Sequence, residues 1–379
     1  MKHPSRLLAL TALAVLVLAF AACAPAATPT PGSSISAPPT AVSPTQAAPT
    51  SAATQAAPTS GAQTAPTAAS GNAPVTISVA YSTLNPDPLP LWVAQDEGFF
   101  KKNGLDVNLL FVNGGTQTAQ ALISGSVKFA ATAPAAAVNA DAGGADLVAV
   151  AGLVNVINYD FIAQPGIKTA ADLKGKKVAW SGPSGSSATA LKIALKVLFN
   201  LDITQVVPVT IGTEPEREAA MVSKQIDATV INPDLAIKAQ KDGLVVLGEL
   251  WKRKDIPYQH TGIVASKAYL KANPDVANRF FESIIQAIGY IRDPANKTQT
   301  IAILGKYLKS TDQPVLESGY TRMSGTLLQC VPYVTLEGMK TVISESPTAT
   351  KKGLTAEQLT DNSFLQTLDQ NGFAKANCK

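Results

Sequence analysis

The chain has 379 residues, a formal net charge of +4, 46% hydrophobic and 15% charged residues, and three cysteines. It is long enough to bury a sizeable core and form two lobes, and its charge is too even for a nucleic-acid surface or a strongly basic membrane patch. One of its two histidines lies at position 3 and no Cys-x-x-Cys occurs, so no metal site is expected.

In chain order, Lys2 and Arg6 precede an apolar run from Leu7 to Phe20 that ends at Ala21-Ala22-Cys23. A basic start, a short apolar stretch and small residues before a cut site read as a secretory signal, residues 1–22, rather than a membrane span. Cysteine directly after the small pair resembles the bacterial lipobox, with Phe20 where leucine is more usual. That resemblance implies cleavage before Cys23 and a lipid on its sulfur. Residues 24–74 carry no charge and no aromatic ring, and hold ten of the 26 prolines. Such a segment cannot bury enough apolar surface to offset the entropy of ordering, so 23–74 is expected to be a lipid-anchored, disordered tether. Losing Lys2 and Arg6 with the signal lowers the net charge to +2.

From Val75 onward, short apolar runs alternate with helical patterns. Strands are expected at 75–80, 105–112, 129–132 and 147–153, with helices at 91–102, 116–124 and 135–142. The pattern restarts with strands at 177–180, 206–211, 227–231 and 244–250. Helices are expected at 188–199, from Thr213-Glu-Pro-Glu216 to Lys224, and at 233–241. This alternation implies parallel sheets. The halves echo each other: Ser124 to Pro134 and Ser223 to Pro233 each run from a helix end through a polar turn and a short strand to proline. After Ala265 the chain turns helical, at 274–292, 298–309, 313–323 and 356–371. Cys330 and Cys378 are expected to pair, because an exported chain sits in a disulfide-permissive compartment.

Leu89-Pro-Leu-Trp-Val-Ala-Gln-Asp-Glu-Gly-Phe-Phe-Lys-Lys-Asn-Gly-Leu-Asp-Val107 resembles the opening of the solute-binding proteins of nitrate, sulfonate, thiamine-pyrimidine and riboflavin importers. Ile167 to Val178 resembles the entry to their second lobe, and Ile226-Asp-Ala-Thr-Val230 the strand that follows. Where the family pattern usually has aspartate, this chain has Lys128. The resemblance implies a two-lobed, periplasmic-binding-protein-like α/β fold, with crossover hinge strands and a ligand cleft between the lobes. Lobe one would be 75–165 and 263–379, and lobe two 166–262. It also implies hinge closure near 164–165 and 259–262, and delivery to a permease driven by a separate ATPase. No Gly-x4-Gly-Lys-Ser/Thr loop occurs here, so the motor is another subunit. The expected protein is a lipid-anchored monomer on the extracytoplasmic side of the cell membrane, with no cofactor.

Ligands of open α/β sheets sit beyond the carboxyl ends of strands, where helices begin. Those positions give Ser82, Thr83, Trp92, Gly115, Thr116 and Thr132 from lobe one, and Trp180, Ser184, Gly185, Ser186, Ser187, Thr213 and Asn232 from lobe two. The Ser184–Ser187 loop can donate hydrogen bonds to an oxygen-rich group; helix capping is its other use. Tyr81, Tyr159, Tyr258, Trp92 and Trp180 favour stacking on a heteroaromatic ring, and no base other than Lys128 precedes Arg217 near these loops. The expected solute is therefore a heteroaromatic vitamin or precursor, riboflavin or a thiamine pyrimidine. The alternative is a small anion, an alkanesulfonate such as taurine, or nitrate. A hydrolase would have to use Ser184 or Ser186 with His260, but Gly182-Pro-Ser-Gly-Ser186 is not Gly-x-Ser-x-Gly, and no catalytic residue is expected.

Overall fold

A computed structural model describes residues 74–378. The expected signal, Cys23 and the tether up to residue 73 lie outside them. The described residues belong to one compact unit with its own core.

The first part runs β1 (Val75–Tyr81), α1 (Leu89–Asp96), α2 (Phe99–Lys102), β2 (Leu105–Phe111), α3 (Gly115–Ile123), β3 (Phe129–Thr132), α4 (Pro134–Ala142) and β4 (Leu147–Val154). The second runs β5 (Asp160–Ala163), α5 (Ala170–Leu173), β6 (Lys177–Trp180), α6 (Ser186–Phe199), β7 (Val207–Thr210), α7 (Glu214–Val222), β8 (Ala228–Ile231), α8 (Pro233–Lys241) and β9 (Val245–Glu249). The chain then returns through β10 (Thr261–Ser266) to α9 (Lys267–Ala272), α10 (Pro274–Arg292), α11 (Lys297–Leu308), α12 (Gln313–Arg322), α13 (Leu336–Ser344), α14 (Pro347–Lys351), α15 (Ser363–Gln370) and α16 (Phe373–Asn377).

Two five-stranded sheets result, ordered β2-β1-β3-β10-β4 and β7-β6-β8-β5-β9. The sheets are mixed, which corrects the parallel expectation. β10 runs antiparallel to β3 and β4, and β5 antiparallel to β8 and β9. Both reversed strands enter a sheet straight from the other one, without the crossover helix that keeps neighbours parallel. Because β5 pairs in the second sheet, the chain crosses between Val154 and Asp160.

Local chemistry explains several element ends. The helix expected over 91–102 is two helices, broken where Gly98 takes φ +72°. Helix α6 starts at Ser186, with Gly185 as its N-cap. The stretch 356–362 is not helical, because Ala149 N–H donates to Leu359 O and Asp361 N–H to Ala149 O, covering the outer edge of β4. Helices α13 and α14 were not anticipated, although Ser346-Pro347 is an N-cap followed by proline.

Helices α10, α11, α12, α15 and α16 cover the first sheet, with Phe280 stacked on Phe129 at 4.1 Å between ring centroids. By contrast, α13 and α14 pack with α4 of lobe one and with α6 of lobe two in one shared apolar cluster. Cys330 and Cys378 form a disulfide with a Cα separation of 5.5 Å, tying the end of α16 to the loop after α12. Closing a loop of 48 residues is worth about 4 kcal/mol in the chain-entropy description. Reduction is expected to lower Tm by roughly 8 °C; a scan with and without dithiothreitol checks this, and an unchanged Tm would refute it.

Candidate functional site

The lobes meet where the carboxyl ends of β1, β3 and β6 face the starts of α3, α6 and α7. The cavity left between them is lined by Ser82, Thr83, Gly115 and Ala133 from lobe one, and by Tyr159, Ser181, Ser186, Thr213, Glu214 and Arg217 from the second half. It is narrow, about 20 Å³, room for about one water. Glycines make the approach possible. A Cβ on Gly115 would stand 3.7 Å from Gly185 Cα across the gap and 2.9 Å from Ala136 Cβ. One on Gly212 would fall 2.5 Å from Asn113 Nδ2 of the opposite lobe.

Polar bonds join the two lobes. Asn85 Nδ2 donates to Glu214 Oε1 at 2.6 Å, and the other oxygen of Glu214 accepts from Asn232 N–H at 2.5 Å. At the far side, Ser318 Oγ donates to Asp234 Oδ1 at 2.5 Å, while Arg322 pairs with Asp234 at 3.5 Å and donates to Asn158 Oδ1. Asn158 in turn donates to Asp87, which also accepts from Thr261 Oγ1 at 2.7 Å. Burial pushes the carboxyls of Asp87 and Asp234 up to about 6, and that of Glu214 up to about 7. Burial holds the imidazole of His260 down at about 3, so it is neutral at pH 7.

Arg217 is the buried basic residue in the site, 1% exposed. Its Nη1 donates to the carbonyls of Gly212 at 2.7 Å and Ile211 at 3.4 Å, and its Nη2 to Val230 O at 3.3 Å. Its Nε–H has no partner. An unpaired buried guanidinium N–H is costly unless something else accepts from it. With three helix N-termini around the cavity, this donor suits an oxyanion.

Of the residues expected from sequence, Ser82, Thr83, Gly115, Gly185, Ser186 and Thr213 line the cavity. Ser186 Oγ is bonded to Tyr159 Oη at 3.0 Å, and Thr213 caps α7 through a capping box with Glu216. Thr132 lies buried behind Gly115 with its hydroxyl unpartnered. The others do not line it. Ser187 Oγ supports the loop by bonding Ser181 N–H and Oγ, both at 2.8 Å. Ser184 is half-buried and Thr116 exposed. Asn232 caps α8 and faces a neighbouring cavity.

The two tryptophans are also elsewhere. Trp92 is fully buried in the lobe-one core, stacked on Tyr307 at 4.9 Å, and Trp180 Nε1 donates to Thr210 Oγ1 at the sheet edge. Lys128 holds Gly125 O at 2.8 Å, outside the cavity. Arg217, which the expected site left out, lies four residues after the cap of α7 and folds back beneath its first turn to line the cavity. That spacing, a basic residue at the N4 position, was the available signal. A serine–histidine pair is absent among the described residues, since neither ring nitrogen of His260 has a hydrogen-bond partner. Accordingly, Trp180→Phe is expected to leave solute affinity within about threefold, whereas Trp92→Ala should cost about 3–5 kcal/mol of stability. Calorimetric titration and denaturant melts read the two effects; a large affinity loss in Trp180→Phe would put the ring back in the site.

The geometry agrees with what the chain resembles. A binding protein of Brucella abortus (strain 2308) is 34% identical over 236 residues, 60% of this chain and 69% of that protein. The binding protein YtlA of Bacillus subtilis (strain 168) is 25% identical over 258 residues, 66% of this chain and 74% of the relative. Among solved structures, a protein of Bordetella bronchiseptica RB50 superposes with TM-score 0.69 at 21% identity, covering 78% of this chain and 98% of that one. The nitrate-binding protein NrtA of Synechocystis PCC 6803 does so with TM-score 0.63 at 16% identity, covering 79% and 90%. The aliphatic sulphonate-binding protein SsuA of Escherichia coli gives 0.59 at 22%, covering 76% and 92%. These structures share the periplasmic-binding-protein fold. The NMT1/THI5-like family pattern matches residues 85–297, more than half of the sequence, and the chain belongs to that family.

Proposed function

We propose that this protein is the solute-binding component of an ABC importer, and that it closes on a small solute carrying an oxyanion. The observation that carries this reading is buried Arg217, whose Nε–H has no partner, in the lining of an interlobe cavity ringed by the N-termini of α3, α6 and α7. Nitrate and aliphatic sulphonate binders among the structural neighbours support the same class. The hydroxyls of Ser82, Thr83, Ser186 and Thr213 complete the donor set, with Gly115 and Gly185 admitting the group close to backbone. The heteroaromatic expectation rested on Tyr81, Tyr159, Tyr258, Trp92 and Trp180; of these Tyr159 lines the cavity, bonded to Ser186, and the others stand away from it. No residue acts as a catalyst in this reading. A permease and a separate ATPase receive the solute, and a lipid on Cys23 holds the monomer at the extracytoplasmic face of the membrane.

Residues 69–379 are to be titrated calorimetrically with nitrate, methanesulfonate, taurine, riboflavin and a thiamine pyrimidine, with small-angle scattering on each mixture. Saturable binding of an oxyanion with a fall in radius of gyration is expected. Binding of riboflavin or the pyrimidine alone would overturn the oxyanion assignment.

A further inference from the structure

Helix α12 belongs to lobe one by its packing, since Leu316 and Tyr320 join the core of the first sheet. Its other flank faces lobe two. Ser318 and Arg322, four residues apart, share one face of the helix, and both reach across. Ser318 Oγ donates to Asp234 Oδ1 in the first turn of α8. Arg322 pairs with the same carboxylate, donates to Asn158 in the crossing segment, and lays its guanidinium over the Trp251 ring, 4.5 Å from its centroid. Trp251 stands in the short turn Leu250–Lys252 that follows β9. Among the described residues, the Arg322 side chain donates to no group of lobe one.

Charge gives this contact its direction. Asp160 and Asp234 of lobe two are 5% and 1% exposed. Burial raises both carboxyls, and Arg322 is the cation that works against it at each. Among the described residues, no base of lobe two is paired with either acid. A guanidinium can pair with a carboxylate and stack on an indole at once, because it is planar and weakly hydrated. Lobe two thus carries a seat of acids and a ring, and lobe one carries the group that fits it. Ser318, Arg322 and Trp251 do not line the cavity at Arg217, so this seat acts on a solute only through the position of the lobes.

We infer that Ser318 and Arg322 form an interlobe catch, which seats on Asp234 and Trp251 when the cleft shuts and sets how long a solute is held. Arg322 is a positioning residue in this scheme, because a contact made in one of two states shifts their balance without touching the ligand. The inference rests on the two-lobed solute-binding reading above and not on the solute being an oxyanion. The tryptophans make the catch visible. Trp92 is buried in the lobe-one core and Trp180 is bonded at a sheet edge, so Trp251 is the ring that changes neighbours when the lobes part. Lys252, 5.0 Å from the same ring, moves with it.

The first test uses residues 69–379 with no solute. Acrylamide quenching of tryptophan emission and small-angle scattering are recorded for the parent, Arg322→Ala, Arg322→Lys and Trp251→Leu. Arg322→Ala is expected to raise the quenching constant and enlarge the radius of gyration, and the rise in quenching should vanish when the change is made in Trp251→Leu. Arg322→Lys keeps the charge but loses the plane, so it should fall between parent and alanine. Circular dichroism and denaturant melts establish that each variant is folded. The second test is stopped-flow mixing with methanesulfonate. Arg322→Ala should release it at least about tenfold faster, the equivalent of one charged hydrogen bond, with association within about threefold of the parent. Parent-like quenching and radius in folded Arg322→Ala, or an unchanged release rate, overturns the catch. Failure of methanesulfonate to bind the parent would overturn the oxyanion reading instead, and the solute-free comparison would still decide the catch.

Discussion

Arg217→Met should weaken oxyanion binding by at least about a hundredfold. Truncating one partner of a buried, hydrogen-bonded charge pair costs 2–5 kcal/mol or more, which is about thirty- to several-thousand-fold in affinity. The side chain also serves the fold, because its Nη atoms satisfy the carbonyls of Ile211, Gly212 and Val230. The variant should therefore also melt lower, by about 2 kcal/mol of stability. Arg217→Lys separates the two roles. It keeps the positive charge but loses the planar fork, so it should recover part of the affinity and little of the carbonyl bonding. Calorimetry with the tightest-binding oxyanion, alongside a denaturant melt, reads both effects. Affinity within threefold of the parent in a folded Arg217→Met protein would remove the anion reading.

The second large effect concerns pH. Asp87, Asp160, Glu214 and Asp234 all have carboxyls that burial pushes up, to about 6, 7, 7 and 6. Between about pH 4 and pH 7 the folded protein therefore binds more protons at these groups than the unfolded chain. Stability contributed this way is full at the acid end and is lost as pH rises through the folded values. His260 opposes the trend: its value is depressed to about 3, so its contribution fades below about pH 6.5. Four carboxyls outweigh one imidazole. The net gain from pH 7.5 to pH 5 is on the order of 3 kcal/mol, and Tm should rise by at least about 5 °C.

The same protons couple to lobe closure. Glu214 and Asp234 of lobe two are buried in part by Asn85, Ser318 and Arg322 of lobe one. Opening the cleft readmits water to both carboxyls, returns them toward ordinary values and releases protons. The ligand-free protein should then be more closed at pH 5 than at pH 7.5, seen as a smaller radius of gyration by small-angle scattering. A Tm that falls on acidification to pH 5, or an unchanged radius, would refute the coupling.

Much of the lobe architecture was legible because strand and helix periods differ and because caps such as Thr213-Glu-Pro-Glu216 announce themselves. The site's small residues were legible for the same reason: strand ends and helix starts are local features. What escaped were facts of tertiary placement. Asp160–Ala163 is four residues long, and nothing local says which sheet it joins or in which direction. Trp92 and Trp180 have equal stacking chemistry in sequence, yet one is buried under Tyr307 and the other turned to Thr210. Arg217 looks like an ordinary helix-surface residue until the carbonyls of two strand ends close around it. Helices α13 and α14, which straddle both lobes, are specified by contacts rather than by any strong period of their own.

Both ends of the described chain leave from the same lobe. Val75 opens β1 in the first sheet, and Cys378, after α16, is locked by its disulfide to Cys330 beside that sheet's helices. The second sheet is reached only by the two internal crossings. Mechanically, lobe one is the handle and lobe two the jaw. Load applied at Val75 or Cys378 enters through lobe one. A sensor dye or a surface attachment placed at either end would leave the jaw's swing untouched, whereas one placed on α8 would ride with it.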